Sequence, residues 1–395
     1  RLACVCRRWY QVASSPDLWA RVSIGFCWAN PGKRQSPSTQ SRIRGTLKWL
    51  IQERLSLLSE FSLHHWKEQV PFVVKTLAAS CPRLSALTLS HCSGVSADVL
   101  VTAARNCPDL LSLNLQNSQV ESVLGALGVC GPRLQRLFLT FSSRLSAILS
   151  SLTSGSCPEL RVLELNTEMK QGESHLQICI ETLQTGCPKL EVLRLLNLVW
   201  SPKSGGCRAS ESRGFEHLQE LCLATSSYSF VSDSVCQRLL CDSSHLKILD
   251  LRGCYRVTPH GICQLPCVDL ERLYLGIYCS TKNLALPRTG CTLIARRWQH
   301  SLQELDITAQ NYKEEDLAQA LSILSTGGSR LRSLNLAGTK IMAPALRELL
   351  SGCPALSHLD LSSCRYLPRG MKHVYRGEAD IRQCLGGLTQ DLDTD

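Results

Sequence analysis

Residues 81–115 read CPRLSALTLSHCSGVSADVLVTAARNCPDLLSLNL, and this stretch repeats itself. Cys81-Pro82-x-Leu84 returns as Cys107-Pro108-x-Leu110, and Leu84-x-x-Leu87-x-Leu89 returns as Leu110-x-x-Leu113-x-Leu115. The last two leucines of each triplet stand two apart, so both point to one face of a short strand. Between the triplets the period changes. Ser96 can cap a helix that puts Leu100, Ala103, Ala104 and Cys107 on one face. Pro108 stops it, because a proline disfavours helix at the residue before it.

The triplet extends far beyond this stretch. In-register copies begin at Leu58, Leu84, Leu110, Leu134, Leu160, Leu190, Leu218, Leu246, Leu270, Leu302, Leu331 and Leu356. Twelve copies over the 298 residues from Leu58 to Leu356 make eleven intervals of about 27 residues, the spacing and pattern of leucine-rich repeats. A strand–helix unit of this size cannot bury its apolar edge alone, so neighbours must stack into one continuous core. The fold expected is an α/β leucine-rich-repeat solenoid, a horseshoe of about twelve strand–helix repeats over 58–370, with a C-terminal tail at 371–395.

The repeats explain the 22 cysteines. Cys81, Cys107, Cys157, Cys187 and Cys353 each open Cys-Pro-x-Leu, where a compact apolar side chain fills a small slot at the end of a helix. Cys92, Cys254 and Cys364 each lie three residues past the last anchor of their copy, the turn position this repeat gives to Asn or Cys. Thiols spread through successive repeats are poorly placed to pair, so reduced cysteines and a cytoplasmic or nuclear location are expected. No Cys-x-x-Cys occurs, and neither Cys4-Val-Cys6 nor Cys263 with Cys267 has a second pair at zinc spacing. No metal and no cofactor are expected.

Charge and composition narrow the function classes. Net charge is +10, but residues 1–60 hold ten Lys/Arg against Asp17, Glu53 and Glu60, so +7 sits there and about +3 on the rest. That is no footprint for a phosphate backbone, and nucleic acid is not expected as a partner. No apolar run reaches the roughly 18 residues of a membrane span. A phosphate loop, a Gly-x-Ser-x-Gly elbow and a His-Glu-x-x-His are all missing, so no catalytic residue is assigned. Three stretches interrupt the array: a polar linker at 30–42, an insertion at 201–214 expected to be a surface loop, and an insertion at 280–299. The last carries Leu284, Leu286, Ile294 and Trp298 and should pack in part.

With the array placed, the opening LACVCRRWYQVASSPDLWARV (residues 2–22) can be read. Leu2, Val5-Cys6-Arg7-Arg8-Trp9, a polar spacer and Asp17-Leu18-Trp19 resemble the second half of an F-box. With the Cys-Pro-rich repeats behind it, the chain is similar to F-box and leucine-rich-repeat proteins. That resemblance implies a partial α-helical F-box at 1–24, then a linker and capping helix at 25–57. It implies an Skp-type adaptor bound through Leu2, Val5, Cys6, Trp9, Leu18 and Trp19, and through the adaptor a cullin–RING scaffold. It also implies a non-catalytic substrate receptor of an SCF-type ubiquitin ligase. The first helix of the family pattern is missing, so the chain looks cut inside the F-box.

A protein substrate would meet the strand residues that flank the inward anchors. From Asp250 to Asp306 these residues, Asp250, Arg252, Arg272, Tyr274, Glu304 and Asp306, mix both signs of charge around one aromatic, a composition found in protein-contact hot spots. Two other classes compete with a ligase receptor. An interaction scaffold or inhibitor with no ubiquitin role fits the repeats equally well. An extracellular ectodomain predicts disulfides and glycan acceptors, and no Asn-x-Ser/Thr acceptor occurs.

Overall fold

A computed structural model of the chain describes residues 6–25, 36–120, 122–140, 145–167, 175–203, 214–226, 228–277, 288–326 and 330–390. The chain forms two compact units. One comprises Arg1–Gln171 with Thr182–Leu190, the other Gly172–Glu181 with Glu191–Asp395.

The first unit holds strands β1 (Arg21–Ile24), β2 (Glu60–His64), β3 (Ala86–Ser90), β4 (Ser112–Asn114), β5 (Arg136–Thr140) and β6 (Val162–Asn166). They pair in parallel, in chain order. The register sets the central anchors side by side, Phe61 against Leu87, Leu113, Leu137 and Leu163. The second unit holds β7 (Leu176–Ile178), β8 (Val192–Leu196), β9 (Trp200–Pro202), β10 (Glu220–Cys222), β11 (Ile248–Asp250), β12 (Arg272–Tyr274), β13 (Glu304–Asp306), β14 (Ser333–Asn335), β15 (His358–Asp360) and β16 (Val374–Arg376). There β8 and β10–β15 continue the parallel pattern, while β7 and β9 form a separate pair.

The architecture is a leucine-rich-repeat α/β solenoid. Each of the twelve Leu triplets supplies one strand, and every anchor residue is buried. Burying one such side chain contributes roughly 1.5–3 kcal/mol, so the anchors together dominate the core. Among the described residues, helices follow the strands of most repeats. In the helix Ala97–Asn106, Ser96 is the N-cap as expected, although its hydroxyl makes no capping bond, and Leu100, Ala103 and Ala104 are buried. Cys81, Cys107 and Cys353 are C-caps of their helices. The Cys81 thiol donates to the Leu55 carbonyl at 3.3 Å, and the Cys353 thiol to Leu324 at 3.6 Å.

Two further features recur in the turns that follow the strands. Where the residue before the last anchor is Asn114, Asp250, Asp306, Asn335 or Asp360, it accepts the backbone N–H two residues on, at 2.9–3.2 Å. Two residues past the last anchor the backbone turns left-handed, at His65, His91, Asn117, Asn197, Gly253, Ala309, Gly338 and Ser363. One residue later the cysteine of the second set donates to the carbonyl of the last anchor one repeat earlier. Cys92 reaches Leu63, Cys254 reaches Leu223 and Cys364 reaches Leu336, at 3.1–3.4 Å. Ser118 does the same to Leu89 at 2.7 Å.

Two expectations are corrected. Residues 37–42 of the expected 30–42 linker are the first turns of α2 (Pro37–Arg54). Ser36 accepts from the Thr39 N–H and Pro37 sits at the first helical position, so Ser-Pro is a helix start here rather than a turn. Ile43, Leu47, Leu50 and Ile51 then bury one face of that helix. The residues after 370 are also more than a tail. β16 pairs antiparallel with β15, and the helix Glu378–Gln390 buries Ile381, Cys384 and Leu388 behind it. This strand and helix close the end of the stack with a different geometry, which a search for the repeat pattern does not register. Of the insertion at 280–299, Ile294 and Trp298 are fully buried in the helix Cys291–Trp298. Leu284 and Leu286 lie outside the described residues, as does most of 201–214.

Candidate functional site

The opening segment is helix α1 (Arg7–Ser14), a 3-10 turn at Pro16–Trp19 and strand β1. β1 is built into the sheet, Arg21 opposite Glu60 and Ile24 opposite Leu63. The Ala20 carbonyl accepts from the Ser59 and Glu60 N–H groups. The segment is therefore anchored at its C-terminal end, while α1 buries none of its residues. Trp9 is 49% exposed, Tyr10 51%, Val12 59% and Leu18 61%. Of the residues expected to meet an adaptor, Cys6, Trp9 and Leu18 are exposed and Trp19 is half-buried, its indole N–H bound to the Ala13 carbonyl at 2.9 Å. Leu2 and Val5 lie outside the described residues. Cys6 is the extended N-cap residue of α1, and Trp9 stands in the helix's first turn.

The second candidate is the solvent side of β11–β13. Register places Ile248, Arg272 and Glu304 in one row and Asp250, Tyr274 and Asp306 in the next, with Leu249, Leu273 and Leu305 buried between them. The structure brings the expected residues together, and they bind one another. Arg252 forms two bonds with the Asp250 carboxylate, at 2.9 and 2.6 Å, and stacks over the Tyr274 ring at 5.3 Å. The Tyr274 hydroxyl donates to Glu304 at 2.5 Å, and Arg272 reaches the other Glu304 oxygen at 3.3 Å. Burial and the Glu304 carboxylate raise the Tyr274 pKa, so the phenol keeps its proton and stays a donor.

Asp250 and Asp306 belong to the turn. Asp250 is 4% exposed and Asp306 6%. Their oxygens are occupied by the Arg252 and Thr308 backbone N–H groups, Asp306 also by the Thr308 hydroxyl at 2.6 Å. Both residues follow the Asx rule of the repeat and hold the loop's shape. What the patch offers to solvent is Arg252, Arg272, Tyr274 and part of Glu304.

Residues 1–25 match the family model for F-box-like domains. The chain carries an F-box-like segment ahead of leucine-rich repeats. Among solved structures it is similar to a chain in the crystal structure of the yeast Rad7 and Elc1 complex. There the identity is 18%, the match covers 96% of this chain and 87% of that one, and the TM-score is 0.46. It is also similar to an internalin (inlF) from Listeria monocytogenes, with 13% identity, 89% of this chain and 86% of that one covered, and a TM-score of 0.43.

Around the F-box-like segment and the repeats the structure adds features that pattern reading missed. Arg54 of α2 stacks between Tyr10 and Trp49 at 5.3 Å from each ring centroid. In the second unit Arg256 lies over the rings of Tyr228, Phe230 and Tyr255, at 5.1, 5.7 and 5.8 Å. The signal for both was compositional, an aromatic outside the repeat positions. Only packing shows which cation it meets. Among the described residues no three His, Cys, Asp or Glu side chains gather to hold a metal ion, and no helix is long and apolar enough to cross a membrane.

Proposed function

We propose that this chain is the substrate-recognition subunit of an SCF-type (Skp–cullin–F-box) ubiquitin ligase. In this reading the F-box-like segment docks an Skp-type adaptor and, through it, a cullin–RING scaffold, while the repeats bind the protein to be ubiquitinated. The observation that carries the proposal is the crowding of Trp9, Tyr10, Val12 and Leu18 at the surface of the segment that matches the F-box-like family. Large apolar side chains that bury nothing within their own helix mark an interaction site. Aromatic residues supply most of the energy at such sites.

The chain itself catalyses nothing in this reading; it positions a substrate for an enzyme carried elsewhere in the assembly. Its buried, repeat-bound thiols fit a reducing compartment, cytosol or nucleus. The substrate meets the Arg252–Tyr274–Arg272 surface, where charges already fixed by neighbours lose little side-chain freedom on binding.

The test is capture of a purified Skp-type adaptor, followed by cullin, by the chain 1–395 and by a form carrying a complete F-box at its front. Binding by either form, lost on Trp9→Ala with Leu18→Ala, is the expected result. If neither form captures the adaptor, the chain is an interaction scaffold without a ubiquitin role.

A further inference from the structure

We propose that helix α2 adds a second docking point for the adaptor, made by Trp49 and Arg54, and that this point takes an acidic face of that partner. The inference rests on the adaptor reading above and deepens it. Helix α2 has a plain structural task, burying Ile43, Leu47, Leu50 and Ile51 against the first repeat. Trp49 has no part in that task. It sits on the opposite side, 51% exposed, on a helix whose other outward residues beyond Pro37 are polar or glycine.

Arg54 joins this indole to the F-box-like segment. Its guanidinium stands 5.3 Å from the ring centroids of both Tyr10 on α1 and Trp49 on α2. Among the described residues it is held by the two rings and not by a carboxylate. A cation so placed is already partly desolvated and oriented, and it can still form charge-assisted bonds with a carboxylate brought to its edge. The surface of α1 thereby continues onto α2 through one stacked cation.

Gly45 lies one turn before Trp49. A Cβ built there meets nothing within 4 Å, so no packing inside the chain requires glycine. Glycine in the middle of a helix is unfavourable relative to alanine. Its effect here is a shallow step beside the indole, where a partner's side chain can lie against the helix backbone.

Charge identifies the partner's chemistry. Ten Lys/Arg against three carboxylates in residues 1–60 make this the basic end of the molecule. Arg8 precedes Trp9 and Lys48 precedes Trp49 in the chain, and both are exposed, as are Arg7 and Arg42. An acidic protein face is steered to such a surface and held in register by it. Nucleic acid is disfavoured because large aromatic and aliphatic side chains, Trp9, Val12 and Leu18, share the surface with the cations and call for an apolar cover.

The experiment titrates the Skp-type adaptor into whichever form of the chain captures it, at two salt concentrations, with Trp49→Ala, Arg54→Glu and Trp9→Ala compared. The two α2 substitutions are expected to weaken the complex about tenfold each, the size of a modest hot-spot residue. Arg54→Glu should also flatten the salt dependence, and Trp49→Phe should restore most of the affinity. Melting curves identify any variant that misfolds, and Arg54→Gln, which keeps the stem and loses the charge, then replaces Arg54→Glu. If Trp49→Ala and Arg54→Glu stay within twofold of the parent while Trp9→Ala abolishes binding, the α2 site is wrong and the adaptor reading stands. If the parent does not bind at all, both fail. Binding of a DNA duplex that is lost on the same α2 substitutions overturns the acidic-protein assignment.

Discussion

Gly253 is the residue at which the repeat tolerates least. Its φ is +81°, and a Cβ added there would stand 1.8 Å from the Thr225 carbonyl oxygen of the preceding turn. Ala309 occupies the equivalent position with φ +54° and keeps its methyl. Gly253→Ala should therefore cost at least about 3 kcal/mol, since a backbone clash adds to the left-handed strain. Ala309→Gly should be within about 1 kcal/mol of neutral. Urea unfolding of both variants checks this, and equal effects would show that the close approach at Gly253 is not real. The cysteines give a second residue-scale prediction. Burial pushes the Cys81, Cys157 and Cys187 thiols up to about 12 and the Cys107 thiol to about 11. An unfolded thiol titrates near about 8.5. Their folded pKa values lie above the unfolded ones, so their contribution is complete below about pH 8.5 and is lost as pH rises toward 11–12. In reducing buffer the urea midpoint should fall between pH 8 and pH 10.5, and less so in Cys157→Ala. A flat profile would mean these thiols are hydrated in the native state.

At the scale of elements, the corrections and the correct readings share one cause. Strands were legible because each needs only two inward residues two apart, and that pattern recurs from Leu87-x-Leu89 to Leu359-x-Leu361 with a single Ile, Ile307, in place of Leu. Helix α2 was legible only in part. Its buried face uses i, i+4, i+7 spacing, yet it opens with Ser-Pro-Ser-Thr, residues that also make turns, and the choice falls to the packing of Ile43 and Leu47. The closing strand β16 and the helix after it were not legible at all. Nothing in Val374–Arg376 states a strand direction, and its antiparallel pairing with β15 is set by packing rather than by the repeat pattern. These elements cover the last repeat with Tyr375, Ile381 and Cys384. Removing residues 371–395 should lower the melting temperature by several degrees and promote aggregation by leaving β15 as an open edge. Light scattering on heating measures both, and an unchanged, monodisperse chain would show that the cap is dispensable.

For the whole molecule, the residues expected to meet a substrate lie together along β11–β13, and two of them are buried in the turns. Asp250 and Asp306 looked like contact residues because an outward strand position and a turn-forming position coincide there. The carboxylate that would face a partner has turned to the backbone N–H two residues on. The substrate prediction therefore rests on the residues that remain at the surface. Arg252→Glu with Arg272→Glu should reduce substrate capture from proteasome-inhibited lysate at least about tenfold with little change in melting temperature, and Asp306→Ala should do the reverse. Undiminished capture by the double arginine variant would move the substrate elsewhere on the repeats. The amino-acid sequence by itself determined the repeat, its strand anchors and the F-box-like opening, because each depends on local spacing and residue type that read the same in every copy. Only the tertiary structure decided which polar residues are left to meet a partner. A charged side chain's availability is set by the groups that folding brings to it, from its own turn, as the Arg252 N–H meets Asp250, or from the next repeat, as Glu220 meets Arg194.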